Sequence, residues 1–466
     1  MTRTVESYEQ AVEFLFNRVN FERLSGMQYS ADDFKLDRMR DLLRRLGDPH
    51  ESIPAVHIAG TKGKGSTAAY TAAILTAAGF RVGLFTSPHI SAFEERMSVA
   101  GCIPAPDELV ELVRHVAPVV AELDKDPGHM SPTYFEIATA LAWIYFRQQG
   151  AAIAVLETGM GGRLDATNLC RPAACVITTI SRDHTRQLGS RVEQIAREKA
   201  GIVKPGVPVV SGVTDGEARA VIAETCRRHN APLFELGRDF HCRYRPATIG
   251  GQTTVEGTVD VTAPHRHWEG LRLPLVGEHQ ARNLALSLMA VEALAEQGWQ
   301  IPAEAAAAGL ATLRWPGRIE VVQRDPTVIV DTAHNWEAVA ALLRTLDESF
   351  SARRRLLVFA ATRDKDVAGM LRQLLPRFDT VIVTCFQNNP RQIPVDRLAE
   401  TVRGLTDRMF HTVPDAASAW KLACRLATTD DLICVTGSFF LAAEVRELIA
   451  GSVPAARTSG VSATSP

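Results

Sequence analysis

A chain of 466 residues is too long for a single hydrophobic core, so two or three domains are expected. Its 46% apolar and 22% charged residues are those of a globular protein in water, and no apolar run reaches bilayer length. A formal net charge of −2 gives no basic footprint for nucleic acid or an anionic membrane, and eight scattered cysteines without a C-x-x-C pair read as reduced thiols.

Met1 to Gln10 carries two glutamates and no apolar centre, so no secretory signal is expected and the cytoplasm is the predicted location. Residues 5–47 are expected to be helical: Val12, Leu15, Phe16 and Val19 share one face, as do Leu36, Met39, Leu42, Leu43 and Leu46. Residues 55–59 form a short buried strand, a glycine-rich turn follows, and the Ala-rich stretch 67–78 predicts a helix. A second strand covers 80–85. Helices follow at 106–123, with Pro118 as a kink, and at 134–147, begun by Ser131-Pro132-Thr133 with Glu136 three residues on. Continuous apolar strands at 152–156 and 175–180, a helix at 192–200 and a strand at 207–213 complete a doubly wound α/β pattern.

Residues 238–275 change character to short Thr/Val-rich pieces, which predict a small antiparallel sheet. Helices resume at 281–297 and 302–313, and Trp315-Pro316-Gly317-Arg318 marks a hinge. Beyond it, strands at 328–330, 356–360, 381–384 and 432–436 alternate with helices. The predicted domains are therefore 1–314 and 315–450, with 451–466 a disordered Ser/Thr/Ala/Gly-rich tail.

The organising stretch is His57-Ile58-Ala59-Gly60-Thr61-Lys62-Gly63-Lys64-Gly65-Ser66-Thr67. Strand, glycine turn and helix in that order bring backbone N–H groups and a helix N-terminus to one point, which suits a nucleotide phosphate. Ile58 and Gly65 break the strict phosphate-loop pattern, and an ordinary tight turn would look similar. Ser87, Glu157 and Asp183-His184 each follow a strand, so they are expected to converge at the carboxyl edge of the sheet. Hydroxyl and carboxylate oxygens there suit Mg2+, whereas imidazole is a poor ligand for it. The alternatives are a Glu157–Arg163 pair and a backbone-satisfied His184. The run Gly159-Met160-Gly161-Gly162-Arg163-Leu164-Asp165-Ala166-Thr167-Asn168 allows close backbone approach to a ligand. Asp331-Thr332-Ala333-His334-Asn335 follows a strand of the second domain and is expected to form the other wall of an interdomain cleft.

Taken together, these segments resemble the folylpolyglutamate synthase/dihydrofolate synthase family, a branch of the Mur-type ATP-dependent amide ligases, over about residues 55–445. The glycine loop is similar to the family's A-G-T-N-G-K-G-S with Lys62 for Asn. Thr86-Ser87-Pro88-His89, Glu95-Arg96, Thr133-Tyr134-Phe135-Glu136 and the Gly161–Asn168 run match further blocks. So do Asp183-His184-Thr185, Glu198-Lys199-Ala200-Gly201-Ile202, Gly277-Glu278-His279-Gln280 with Asn283, Trp315 to Arg318, Asp331 to Asn335, Asp364-Lys365-Asp366 and Thr436-Gly437-Ser438. The resemblance implies a large phosphate-loop ATPase domain and a smaller Rossmann-like domain. It also implies a ligase that adds L-glutamate to folates, to dihydropteroate or to both through an acyl phosphate.

By the same resemblance Thr61, Gly63, Lys64, Gly65 and Ser66 hold the ATP phosphates, with Asn283, Arg318 and Asp331 as further ATP contacts. Ser87, Glu157 and His184 ligate one or two Mg2+, and a monovalent cation is a further candidate. Lys199 matches the family's carbamylated lysine and would then be a metal ligand; otherwise it is a helix lysine facing Glu198 or solvent. Thr133, Tyr134, Phe135, Glu136, Leu164, Asp165 and Ala166 match pteridine-side segments. Lys64, Lys199, His184 and His334 are the catalytic candidates, with His334 and Ser438 assigned to the glutamate site by position alone. Asp32-Asp33-Phe34-Lys35-Leu36 departs from the family's Ile-Asp-x-Gly-Leu, Trp336 stands where proline is usual, and Ser181-Arg182 replaces Gly-Leu or Ala-Leu. A monomer without nucleic-acid or membrane partners is expected. A cell-wall Mur ligase or a non-catalytic ATP-binding protein are the competing readings.

Overall fold

The computed structural model describes residues 5–20, 36–126, 131–181, 189, 191–250, 254–387 and 389–452. Asp183-His184-Thr185, the Asp32 to Lys35 departure and the tail from 453 lie outside them. Two compact units make up the chain, one of Met1–Pro316 with Arg344–Ser351 and one of Gly317–Leu343 with Ala352–Pro466. No helix among the described residues is long and apolar enough to cross a membrane.

The first unit is built on seven strands: β1 (Pro54–Ala59), β2 (Val82–Phe85), β3 (Met97–Val99), β4 (Ile153–Glu157), β5 (Arg171–Ile177), β6 (Val209–Ser211) and β7 (Leu233–Glu235). They lie in the order β3-β2-β4-β1-β5-β6-β7, all parallel except the edge pair β2–β3. β1 is buried on both faces, which is why its sequence is a continuous apolar run. Val56 and Ile58 pack with helices Lys64–Ala77 and Glu278–Glu296, while Ala55 faces helices Pro106–Leu123 and Tyr134–Gln148. From β1 the chain crosses to β2 and returns to β4, then places β5 on the opposite side of β1. The strand order therefore reverses at β1, and the crevice of an open parallel sheet lies at the carboxyl ends there.

Most predicted elements are present, with informative shifts. The loop helix begins at Lys64 rather than 67, because Gly63 takes φ 85° and turns the chain directly into the helix. β5 stops at Ile177 rather than 180, since Thr178 and Thr179 turn their hydroxyls to the Lys62 carbonyl. Val19 does not share the first helical face: that helix ends at Phe16, and Val19 is 43% exposed. The helix Pro106–Leu123 runs through Pro118 without a break. A three-stranded antiparallel sheet, β8 (His241–Arg245), β9 (Thr258–Thr262) and β10 (His267–Arg272), fills the region of changed character.

The second unit holds β11 (Glu320–Gln323), β12 (Thr327–Val330), β13 (Arg355–Phe359), β14 (Thr380–Val383), β15 (His411–Thr412) and β16 (Leu432–Thr436) in the order β11-β12-β16-β13-β14-β15. The four central strands match the expected parallel set. Both edges were missed: β11 is antiparallel and half-buried, and β15 is two residues long.

Gly309, in helix Ala305–Thr312, lets that helix lie directly on the loop helix. A Cβ there would meet the Ala73 carbonyl oxygen at 2.6 Å, and backbone cannot retreat as a side chain can. Gly309→Ala is expected to lose about 1–2 kcal/mol, overpacking outweighing the gain in helix propensity. Urea unfolding reads this as a lower midpoint at unchanged slope.

Candidate active site

The loop leaving β1 is fixed by the chain leaving β5. The Thr61 amide donates to the Thr179 carbonyl at 2.7 Å, and the Thr61 hydroxyl accepts from the Ser181 amide at 3.1 Å. The Lys62 amide donates to Thr179 Oγ1 at 3.0 Å, while its carbonyl accepts from the Thr178 hydroxyl at 2.6 Å. Gly60 is required by this closeness: a Cβ there would lie 1.8 Å from Thr178 Oγ1. Thr61, a predicted phosphate contact, thus has its hydroxyl turned into the protein.

At the end of this pinned loop the helix starts, with Lys64, Gly65 and Ser66 as its first turn. Amides of a first helical turn have no partner within the helix, and the helix dipole adds to their attraction for an anion. Glu157, the last residue of β4, is 5% exposed, with Oε1 3.8 Å from Lys64 Nζ. Its Oε2 accepts the Ser87 amide at 3.0 Å. A Cβ on Gly65 would sit 3.2 Å from that carboxylate, and one on Gly63 would sit 2.3 Å from Asn283 Oδ1. Gly63, Lys64, Gly65, Ser87, Glu157 and Asn283 are therefore brought together at the carboxyl edge.

Two alternatives are corrected by this geometry. Arg163 does not pair with Glu157; it bonds Glu198 at 2.9 Å. Lys199 faces neither Glu198 nor solvent: it is 4% exposed, and its Nζ donates to the Gly60 carbonyl at 2.8 Å, directly behind the loop. His184 lies outside the described residues.

The pteridine-side segments are occupied mostly by the fold itself. Asp165 accepts the Met160 amide on Oδ2 at 2.9 Å, and the amide and hydroxyl of Thr167 on Oδ1 at 3.0 and 2.5 Å. Burial pushes its carboxyl up, against these three donors. Glu136 receives Arg38 Nε at 2.7 Å and the Thr133 amide at 2.8 Å, closing the predicted capping box. Tyr134 is buried and stacks on Phe16 at 5.5 Å. Ala166 is buried, while Phe135 and Leu164 keep partial exposure. Phe135 covers Gly159, where a Cβ would meet its ring at 2.5 Å.

His57 was missed. It sits fully buried in β1, its Nε2 2.8 Å from Thr167 Oγ1, which ties the Asp165 turn to the central strand. The available signal was an imidazole in the middle of an apolar strand. Burial, with a smaller push from Lys204, lowers it to about 3, so it is neutral at pH 7.

In the second unit, Asp331 at the end of β12 accepts the Ile319 amide at 2.9 Å and the Ala333 amide at 2.8 Å, and burial raises its carboxyl. Arg318 bonds the Thr332 hydroxyl and lies over the Phe439 ring at 5.0 Å. His334 Nδ1 lies 2.9 Å from the Thr332 carbonyl, with its ring 5.5 Å from Phe439. Ser438 is 2% exposed, and its hydroxyl accepts the Phe440 amide at 3.1 Å. Arg318, Asp331, His334 and Ser438 are thus neighbours around the β12 and β16 ends.

A glycine loop opening a helix beside a lysine and a carboxylate, with a second α/β unit in the chain, fits a Mur-type ATP-dependent ligase, and two domain matches establish that class. The Mur ligase middle domain matches residues 58–291, and the Mur ligase glutamate ligase domain matches 317–439. The chain is 35% identical over 443 residues to the dihydrofolate synthase/folylpolyglutamate synthase of Bacillus subtilis, covering 95% of this chain and 99% of that one. The solved Mycobacterium tuberculosis folylpolyglutamate synthase complexed with ADP matches with a TM-score of 0.86 at 33% identity, over 95% of this chain and 98% of that chain. E. coli FolC in complex with DHPP and ADP gives 0.81 at 30% identity, over 97% and 99%. The chain belongs to the folylpolyglutamate synthase/dihydrofolate synthase family, and it is an ATP-dependent acid–amino-acid ligase.

His57 yields a pH prediction. Below about pH 6.5 the unfolded chain binds a proton on this imidazole that the folded chain refuses until about pH 3, so stability falls as pH falls through that window. The contribution lost between pH 7 and pH 5 is about 2 kcal/mol. His57→Gln is expected to flatten that part of the stability–pH curve, measured by urea unfolding at the two pH values.

Proposed function

We propose that this ligase joins L-glutamate to the carboxylate of a pteridine acid, either dihydropteroate, a tetrahydrofolate or both. The observation that carries the reading is the Lys64–Glu157–Ser87 cluster at the start of the loop helix. Phosphoryl transfer needs positioning and charge neutralisation more than a covalent catalyst, and this cluster supplies both. The γ-phosphoryl of ATP passes to the substrate carboxylate, giving ADP and an acyl phosphate. The glutamate amine then attacks the acyl carbon; the C–N bond forms, the C–O bond to phosphate breaks, and phosphate leaves.

In this reading the first-turn amides of Gly65 and Ser66 and the Lys64 ammonium hold phosphate oxygens. The Ser87 hydroxyl and the buried Glu157 carboxylate are hard oxygen donors of the kind Mg2+ takes, so they fit that ion. Mg2+ would neutralise phosphate charge there. His334 Nδ1 faces a carbonyl that can only accept, so Nδ1 carries the N–H, and the neutral ring would present Nε2 as an acceptor. It is our candidate to take the proton from the attacking amine. Lys199, buried against the Gly60 carbonyl, is the proposed carbamylation site, since a carbamate nitrogen keeps the N–H that this contact uses. Eight unpaired cysteines support a cytoplasmic location, and a monomer suffices for the reaction.

Purified protein with ATP, Mg2+ and glutamate is expected to release ADP only when dihydropteroate or a tetrahydrofolate is added. Equal release with a muramyl nucleotide would move the reading to a cell-wall ligase, and none with any acid would leave an ATP-binding protein. In the same assay Lys64→Ala should lose about 100-fold or more in kcat through lost charge stabilisation, with the circular dichroism spectrum unchanged.

A further inference from the structure

The turn between β9 and β10 lies against the last turns of the helix Glu278–Glu296. The His265 amide donates to Glu292 Oε1 at 2.8 Å, and His265 Nε2 lies 3.0 Å from Glu296 Oε1. Glu292 and Glu296 are four residues apart and so share one helical face. One imidazole nitrogen and one oxygen from each carboxylate all lie within 4.8 Å of one another. Among the described residues no other group of three His, Cys, Asp or Glu side chains meets in this way.

An exposed histidine beside glutamates is commonly no more than an ion pair. The central carboxylate is different. Glu292 is 1% exposed, and its Oε2 is buried with no hydrogen-bond partner among the described residues. A buried carboxylate oxygen without a donor bears its full desolvation cost, which a proton or a bound cation relieves, and an imidazole and a second carboxylate beside it suit a metal cation. The other two side chains are 69% and 40% exposed, so they can close over an ion from the solvent side.

We propose that His265, Glu292 and Glu296 form a binding site for a divalent transition-metal ion of the Zn2+ type, separate from the nucleotide site. An imidazole among the ligands favours Zn2+ or Co2+ over Mg2+ and Ca2+, which prefer all-oxygen sets. Ligand atoms sharing one tetrahedral Zn2+ lie about 3.3 Å apart, so the His265–Glu296 spacing already suits it. Three protein ligands leave a fourth position for water. The bound ion would clip the β9–β10 turn to the helix that also carries Asn283, and its role would be structural.

The test is Co2+ binding to chelator-treated protein in excess Mg2+, followed by visible absorption and equilibrium dialysis, with Zn2+-dependent thermal shift alongside. Wild type should bind one more Co2+ per chain than either His265→Ala or Glu292→Gln, and Zn2+ should raise its midpoint by a few degrees more than theirs. His265 lies in an exposed turn, so its variant keeps the fold even where the Glu292 variant does not. Ligase activity of His265→Ala should stay at the wild-type level. Equal Co2+ stoichiometry in wild type and His265→Ala, including zero in both, overturns the proposal.

Discussion

The hydroxyl and amide ties between the end of β5 and the glycine loop are the constraint on which the rest depends. Thr178, Thr179 and Ser181 hold Thr61 and Lys62 by backbone and hydroxyl contacts of 2.6 to 3.3 Å. With the loop pinned from its neighbour strand, the helix has one direction in which to start. Its first amides then meet the carboxyl end of β4, where Glu157 waits. In the proposed reading the loop is a phosphate site made of backbone N–H groups, which has no side-chain slack to correct an error in position, so a pinned loop suits it. Lys199 adds to this from behind, through the Gly60 carbonyl.

The electrostatics at that point contribute little to stability. Lys64 and Glu157 stand 3.8 Å apart, beyond hydrogen-bond length, with side chains 17% and 7% exposed. Ion pairs removed from water return their desolvation cost only when the contact is close and the remaining lone pairs are bonded. In the proposed reading this pair exchanges its partner: the ammonium for phosphate oxygens, the carboxylate for a hard cation. The tightly made pair Arg38–Glu136, at 2.7 Å, lies instead at the capping box of the neighbouring helix.

The fold was legible in the sequence because parallel strands buried on both faces are written as apolar runs, and β1, β4 and β16 were located to within a residue or so. What the sequence hid was short or double-natured. β15 has two residues, too few for a period to show, and β11 has a half-buried EVVQ whose partner is set by tertiary pairing. The start of the loop helix was misplaced because three glycines read as a turn, whereas Gly60 and Gly63 take positive φ and Gly65 already lies in the helix. The neighbours of Lys199 and Arg163 were also hidden, since a carbonyl 139 residues away leaves no local pattern.

The family signature divides physically into two kinds of residue. Thr133, Glu136, Asp165, Asp331 and Ser438 spend polar atoms on backbone amides and caps close by in the chain, and Thr61 spends its hydroxyl on Ser181 beyond β5. Lys64, Ser87, Phe135 and His334 retain partial exposure at strand or helix ends. A motif read as binding is therefore in large part a motif for holding loops, because a ligand with fixed charges requires loops that do not drift. Asp165 shows the cost: burial raises its carboxyl, yet three donors and the His57–Thr167 contact keep it in place. Such an arrangement fixes the chain from Gly159 to Asn168 against the central strand, and in the proposed reading the exposed minority is left to meet the ligands.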